Sequence, residues 1–168
     1  VGPGKALDDM ILFKDYNKNI RPVINYNDNI SLNISIDVKN LEYFNQVSET
    51  MSLNLWITMI WEDQNLKWNA SNYGIDYLKL SSNDIWLPDL VLYNSAEIEN
   101  PYNVLDQMII SNTGIVTLIK PTTLKFSCPL DLHNFPFDSQ NCKMEFGSWH
   151  FNKQYLNMDG TIDGMSED

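Results

Sequence analysis

A chain of 168 residues, 43% of them hydrophobic, is long enough for one domain with a buried core. Its formal net charge of −11 at pH 7 argues against a nucleic-acid partner, because a phosphate-binding face needs clustered Lys and Arg. An acidic surface attracts cations, including cationic ligands, although it serves solubility equally well. The sequence shows no apolar run of membrane-spanning length, so we expect no membrane span within it. It also shows no signal peptide, which predicts a mature or trimmed chain.

The chain opens with a helical pattern and then changes to a strand pattern. In Lys5–Lys18, apolar residues recur at helical spacing and two acids stand in the first turn, which predicts a short N-terminal α-helix. From Ile30 the period becomes two, as expected for a half-buried strand, and Met51–Asp63 repeats this alternation. The mostly polar face of that second strand carries Trp56, and an isolated surface tryptophan often marks an interface.

Turn residues divide the rest of the chain into short strands. The predicted features are a turn-rich connection at Trp68–Gly74, a short strand within Trp86–Asn94, a hairpin turn at Ser111–Gly114, strands at Ile115–Ile119 and Leu124–Ser127 interrupted at Pro121, and a mobile tail at Asp159–Asp168. Several short strands with a capping helix predict an all-β fold. We expect an immunoglobulin-like antiparallel β-sandwich with an N-terminal α-helix, forming one domain over residues 1–168.

The segment Cys128–Cys142 holds the only two cysteines. A disulfide between them would close a loop of about 15 residues and stabilise the fold by ~3 kcal/mol. An oxidising compartment is also indicated by three Asn-x-Ser/Thr sequons, at Asn29, Asn33 and Asn69, which are candidate glycosylation sites. Such a loop is often only a staple in a small secreted domain.

The middle of this segment favours a contact surface instead. Phe135 and Phe137 flank Pro136 and precede Asp138, and a cis bond before the proline is compatible with such a turn. Exposed aromatic side chains at a loop tip usually mark a surface that binds something.

Catalysis has little support in the sequence. The only histidines, His133 and His150, stand in no nucleophile motif, and neither a phosphate loop nor a His/Cys metal spacing is present. We therefore expect no enzyme, no metal and no cofactor.

Three aromatic residues give a better indication of function. Trp56, Tyr93 and Trp149 each lie at a strand end or on a polar face. For any one of them alone, core packing is the better explanation. Together they would form an aromatic cage, which binds quaternary ammonium groups through cation–π attraction.

Several of these motifs resemble one known family. Phe135-Pro136-Phe137-Asp138 between the two cysteines resembles the signature of the Cys-loop pentameric ligand-gated ion channels. Within that family, Asn54-Leu55-Trp56, the segment from Trp86 to Asn94, and Gly147-Ser148-Trp149 are similar to nicotinic acetylcholine receptors, in particular to neuronal-type alpha subunits. The resemblance extends from about Leu7 to Leu156.

The resemblance implies a binding site between subunits of a homo- or heteropentamer. Tyr93 and Trp149 would belong to the principal face, and the neighbouring subunit would supply the complementary face through Trp56, Ile109, Thr117 and Ile119. The implied ligand is a small cation such as acetylcholine or nicotine. Trp86, Pro88 and Asp89 would hold the binding segments in place.

The resemblance also implies a gating contact. Phe135, Pro136, Phe137 and Asp138 would touch the membrane domain together with Gln46, although Asn45-Gln46 stand where the family usually carries Asp-Glu. His150-Phe151 likewise replace the usual Ser/Thr-Tyr.

The implied function is that of the extracellular domain of a neurotransmitter-gated cation channel subunit in the plasma membrane, including synaptic membrane. The last strands, the hairpin with adjacent cysteines and the transmembrane domain would lie beyond this chain. The alternatives are a secreted acetylcholine-binding protein and a non-binding accessory subunit. Phe135 and Phe137 favour the receptor, because the secreted relatives usually have a polar loop.

Overall fold

The computed structural model describes residues 15–97 and 107–163, and most of their regular structure is β-strand. The elements are β1 (Ile30–Asn45), β2 (Thr50–Glu62), α1 (Ala70–Tyr73), β3 (Tyr77–Ser81), β4 (Leu90–Leu92), β5 (Gln107–Ser111), β6 (Ile115–Ser127), β7 (Phe146–Ser148) and β8 (Leu156–Asp163). The predicted helix Lys5–Lys18 lies outside the described residues up to Lys14, and residues 15–18 are not helical. Within the described ranges, no helix is long and apolar enough to cross a membrane.

The strands form two sheets, which confirms the predicted all-β sandwich. Of the strands in the described residues, six make the larger sheet in the order β3-β5-β6-β2-β1-β8, and β4 pairs with β7 in the smaller one. The pairings are antiparallel except that of β1 with β8, which is parallel. Residues 159–163 belong to β8, so the mobile tail predicted for Asp159–Asp168 is wrong over these residues. They pair with the free edge of β1, which satisfies their backbone hydrogen bonds.

Alternation along the strands places the core between the sheets. The apolar face predicted for β2 is buried, as are the alternate residues of β1 that begin with Ile30 and Leu32. From the smaller sheet, Leu90 and Leu92 are buried in the same cluster. Burying one such side chain stabilises the fold by about 1.5–3 kcal/mol, so the outward direction of the alternate residues follows from the core.

Pro121 does not interrupt its strand, contrary to prediction. Strand β6 runs continuously from Ile115 to Ser127 and pairs with β2 along its whole length. Its pairing with β5 ends at Leu118, so among the residues that the structure describes no strand pairs with Pro121 on that side. Proline is tolerated at such an edge, because no ladder hydrogen bond needs its missing N–H on that side.

A buried carboxyl group fixes the end of β2. The side chain of Asp63 is fully buried, and its Oδ2 accepts a hydrogen bond from the Tyr16 hydroxyl at 2.6 Å. The same hydroxyl accepts from the backbone N–H of Trp86 at 2.9 Å. Burial raises the pKa of Asp63 to about 6, although the hydrogen bond from Tyr16 favours its charged form. The network joins β2 to the segment that precedes β4.

Candidate functional site

Two aromatic side chains meet at the edge of the smaller sheet. Strands β4 and β7 are antiparallel, with Leu90 opposite Ser148, and their ladder has only three residue pairs. Residues that follow the two strands attach at opposite ends of this ladder, which is short enough for their side chains to meet. Tyr93 follows β4 and Trp149 follows β7, and their ring centroids are 6.4 Å apart at an interplanar angle of 45°. Tyr93 is 53% exposed and Trp149 is 71% exposed. The pair therefore presents two aromatic faces to solvent, and the alternative of core packing is wrong for both residues.

Gly147 gives the Tyr93 ring its place. The ring crosses β7 so closely that a Cβ atom added at Gly147 would lie 2.5 Å from both Cζ and Oη of Tyr93. The Tyr93 hydroxyl donates a hydrogen bond to the Ser148 carbonyl oxygen at 2.7 Å. Only glycine allows this crossing, which brings the tyrosine ring beside Trp149.

Asp89 organises the loop that carries Trp149. Its Oδ1 accepts a hydrogen bond from the Ser148 hydroxyl at 2.6 Å, and its Oδ2 accepts one from the His150 backbone N–H at 2.7 Å. The His150 Nδ1 is 2.8 Å from the same Oδ2. The Ser148 hydroxyl also accepts from the Phe151 N–H at 2.8 Å. The carboxylate thus holds the residues on both sides of Trp149, which agrees with the supporting role predicted for Asp89.

A largely apolar cavity of about 670 Å³ lies between the two sheets and reaches this pair. Tyr93 and Trp149 line it together with buried residues of both sheets, among them Ile57 and Leu92. The aromatic pair therefore stands where an apolar interior meets solvent.

The four residues predicted for the complementary face share the outward face of the larger sheet. Ile109 and Ile60 both lie opposite Thr117, and Thr58 lies opposite Ile119 in the next outward row. Trp56 lies opposite Pro121, in the row after that. Trp56, Ile109 and Ile119 are 47%, 44% and 47% exposed, and Thr117 is half-buried. The strand register alone brings these residues into one continuous surface.

The two sets do not meet within this chain. Tyr93 and Trp149 lie on the smaller sheet, whereas the other four lie on the outward face of the larger sheet. A site that uses both sets therefore needs two copies of the fold or two different subunits.

The loop at one end of the sandwich is closed by a disulfide between Cys128 and Cys142, whose Cα atoms are 5.0 Å apart. The Gln140 side chain bridges the loop, since its Oε1 accepts from the Asp131 N–H at 3.0 Å and its Nε2 donates to the Asp131 carbonyl at 2.9 Å. The Phe135–Pro136 peptide bond is cis, as the sequence suggested.

The tip of this loop is strongly exposed. Phe135 is 66% exposed and Phe137 is 92% exposed, Pro136 is also exposed, and Asp138 is half-buried. The turn between β1 and β2 carries exposed Gln46 at the same end of the sandwich, since the Cys128 N–H donates to the Glu49 carbonyl at 2.8 Å. The residues predicted to make the gating contact therefore gather at one end of the domain.

Asn94 links the aromatic pair to this loop. Its Nδ2 donates to the Lys143 carbonyl at 2.7 Å, and its Oδ1 accepts from the Glu145 N–H at 3.1 Å. The neighbouring Tyr93 N–H donates to the Glu145 carbonyl at 2.8 Å. One short stretch after the disulfide is thus hydrogen-bonded to both Tyr93 and Asn94.

The three sequons differ in their structural surroundings. The Nδ2 of Asn29, where a glycan would be attached, donates to the Lys153 and Gln154 carbonyls at 2.8 Å each. Asn33 is exposed on β1. Asn69 is exposed at the start of α1, where its Oδ1 accepts from the Ser71 N–H at 3.0 Å. All three stay predicted sites, and a glycan at Asn29 would disturb existing hydrogen bonds.

Sequence reasoning missed some supporting residues. Gly147, Ser148 and Asn94 were part of recognised motifs, but their roles depend on contacts made across about fifty positions of the chain. A glycine directly before a serine and an exposed tryptophan was the only local signal, because glycine in a strand often marks a close approach.

Comparison with known proteins identifies the class of this domain. Residues 7–164 match the family described as the neurotransmitter-gated ion-channel ligand binding domain. The chain therefore belongs to this family of ligand-binding domains. This family membership agrees with the lack of enzymatic motifs in the sequence.

Among its relatives are subunits of neuronal acetylcholine receptors. The chain is 40% identical over 148 residues to the subunit alpha-3 of Homo sapiens, which covers 88% of the chain and 29% of that relative. It is 36% identical over 148 residues to the subunit alpha-6 of Mus musculus, with 88% of the chain and 30% of the relative covered. The chain therefore spans less than a third of the length of these relatives.

Proposed function

We propose that this chain is the extracellular domain of a nicotinic-type receptor subunit, with residues 1–168 forming one ligand-binding domain. Acetylcholine-like cations bind between neighbouring subunits, and their binding opens a cation pore formed by another part of the protein. The likeness to neuronal acetylcholine receptor subunits supports this proposal. The observation that carries it is the exposed pair of Tyr93 and Trp149, with ring centroids 6.4 Å apart.

The chemistry of the pair fits a quaternary ammonium group. Such a cation is attracted to the face of an aromatic ring, best to that of tryptophan, and cannot be held by hydrogen-bond donors. Tyr93 and Trp149 supply two tilted rings next to an apolar cavity, so the methyl groups and the charge are accommodated together. The net charge of −11 raises the local concentration of cations around the domain.

The outward face of the larger sheet supplies the second half of this site. Trp56, Ile109, Thr117 and Ile119 form one exposed surface on a sheet different from that of Tyr93 and Trp149. A ring of subunits, each turning one face toward the next, uses both sets at every interface. A pentamer of this kind is either homomeric or completed by different subunits.

The end of the domain that carries the loop Cys128–Cys142 faces the membrane in this proposal. Phe137, at 92% exposure, and Phe135 form an apolar tip beside the turn that carries Gln46. A large exposed apolar group at a loop tip favours contact with a membrane domain over contact with water, which supports the receptor over a secreted binding protein. The domain is accordingly placed on the extracellular side of the plasma membrane.

The test is the binding of acetylcholine to full-length subunits that contain this domain, assembled in membranes. The substitution Trp149→Ala is expected to weaken binding by about 30-fold or more, because a cation–π contact with a desolvated ligand contributes ~2 kcal/mol or more. Competition against a labelled antagonist measures the affinity. Tyr73→Ala is the control, since it removes an exposed aromatic side chain from α1, outside the proposed site.

The experiment has three distinct outcomes. Binding by the wild type that is lost with Trp149→Ala supports the proposal. Equal affinity of wild type and Trp149→Ala removes the aromatic pair from the site. Absence of acetylcholine binding in every assembled combination contradicts the function itself and favours a non-binding accessory subunit.

A further inference from the structure

A lysine of the same chain lies against the tryptophan of the complementary face. The Lys39 Nζ is 4.9 Å from the centroid of the Trp56 ring, within the range of a cation–π contact. Lys39 also forms an ion pair with Asp37. The side chains of Lys39 and Asp37 are 43% and 46% exposed, so both charges face the same solvent as the ring.

A β-bulge puts the lysine there. In the pairing of β1 with β2, Asp37 lies opposite Trp56 and Val38 lies opposite Leu55, but the next pair is Asn40 with Asn54. Lys39 is therefore the extra residue of β1, with no partner on β2. Such a bulge bends a strand and turns its side chain in a new direction, often beside a functional site.

We propose that Lys39 is a specificity-determining residue that lowers the affinity of the complementary face for cations. This inference rests on the proposed function. The ammonium group of Lys39 occupies part of the Trp56 ring surface and repels a ligand of the same charge. Asp37 opposes this effect, because its carboxylate attracts the ligand and neutralises the lysine.

Removing either of the two charged side chains changes the net charge beside the Trp56 ring by one unit. The pair of Asp37 and Lys39 has no net charge, so the ring is left with its own attraction for a cation, reduced by the part that Lys39 covers. Loss of the lysine leaves one negative charge beside the ring and also uncovers it. Loss of the carboxylate leaves one positive charge.

The experiment measures acetylcholine affinity for full-length assembled subunits that carry one of three changes. Lys39→Gln is expected to raise the affinity by about three- to tenfold, and Asp37→Asn to lower it by a similar factor, as two unit charges a few ångströms apart interact to this extent when water surrounds them. The double variant is expected to fall between the two. These differences shrink when the ionic strength is raised to about 0.5 M, since salt screens exposed charges.

A matched lysine serves as the control. Lys67 forms an ion pair with Glu62, the last residue of β2, and the Lys67 side chain is 49% exposed. Lys67→Gln is expected to leave the affinity unchanged, because its charge lies away from the Trp56 ring.

Trp56→Ala tests whether the effect passes through the ring. In a chain that carries this change, the gain in affinity from Lys39→Gln is expected to fall to its salt-dependent part alone, because no ring remains to be uncovered.

The outcomes are distinct from those of the proposed function. Ordered affinities that converge at high salt support the role of Lys39. Wild-type binding that Lys39→Gln leaves unchanged, or changes no more than Lys67→Gln does, overturns that role and leaves the proposed function standing. A wild type that binds no acetylcholine overturns both.

Discussion

The two halves of the candidate site are built in different ways. Tyr93 and Trp149 come from segments far apart in the chain and are held by individual hydrogen bonds through Asp89 and Ser148. On the complementary face, the register of the three paired strands β5, β6 and β2 places Trp56 and its neighbours in rows. The pair of Tyr93 and Trp149 therefore depends on a few individual hydrogen bonds, whereas the complementary face depends on the buried core beneath its sheet.

This difference predicts where each half is vulnerable. A local network fails when one of its atoms is lost or displaced, whereas a pleated surface survives changes to its outward side chains and fails when its inward ones are removed. The following substitutions test this contrast in order of their expected effect on stability.

Leu118 and Ile119 are neighbours on β6 that face opposite sides of the sheet. Leu118 is fully buried, so Leu118→Ala is expected to lower the free energy of unfolding by about 2–5 kcal/mol through lost burial and a cavity. Ile119 is 47% exposed, and Ile119→Ala is expected to change stability by no more than about 0.5 kcal/mol. Denaturation in urea measures both. Similar losses for the two variants would mean that the outward face is packed as tightly as the core.

Asp63 directly follows the strand that carries Trp56, and it tests whether the stability of the fold depends on pH. Burial raises the pKa of Asp63 from 3.8 to about 6, so the folded protein binds a proton more tightly than the unfolded chain. Its contribution to stability is therefore fully present below pH 3.8 and is lost as the pH rises through about 6. Between about pH 4 and 7, the wild type is expected to lose about 2–3 kcal/mol relative to Asp63→Asn.

Urea denaturation of both proteins at several pH values measures this difference. The Asp63→Asn protein serves as the control, because asparagine does not titrate and the other carboxyl groups are common to both chains. A constant difference between the two proteins across this range would show that Asp63 titrates alike in the folded and unfolded states.

Gly147 tests the hydrogen-bonded half. In Gly147→Ala, the new methyl group would overlap the Tyr93 ring, so the ring must move and its hydrogen bond to Ser148 is lost. We expect a loss of about 1–3 kcal/mol in stability and a clear loss of ligand affinity.

Gly160 on β8 provides the comparison. A Cβ atom there would lie 3.6 Å from the Ile34 carbonyl oxygen, an ordinary contact. Gly160→Ala is expected to leave both stability and affinity nearly unchanged. If the two alanine variants behaved alike, the tight passage of Tyr93 over β7 would not be needed for the site.

Much of the fold was predictable because it follows from local patterns. Alternation of apolar and polar residues predicted β1 and β2 and the buried face of β2, since every second side chain of a strand points to the same side. The hairpin turn at Ser111–Gly114 was predictable because it ends in a glycine, and Gly114 adopts a φ of 84°, which favours that residue type. The pairing of Cys128 with Cys142 needed only that the chain has two cysteines.

Features that depend on distant pairing were not predictable in this way. Residues 159–163 looked like a mobile acidic tail, yet they pair with β1, because a free strand edge gives even a polar segment its backbone hydrogen bonds. Pro121 looked like an interruption, yet it lies beyond the part of β6 that pairs with β5, where β6 tolerates a proline. Both outcomes were decided by which neighbour a strand has, and the sequence of one strand does not contain that information.

The same division holds for the site. The sequence by itself determined the residue types, namely three aromatic side chains outside the core pattern and an apolar loop tip between two cysteines. Only the tertiary structure brought Tyr93 over Gly147, joined Asp89 to both sides of Trp149, and laid Lys39 against Trp56 through a bulge. Side-chain type is a local property, whereas the direction and distance of a side chain depend on the register and packing of strands from the whole domain.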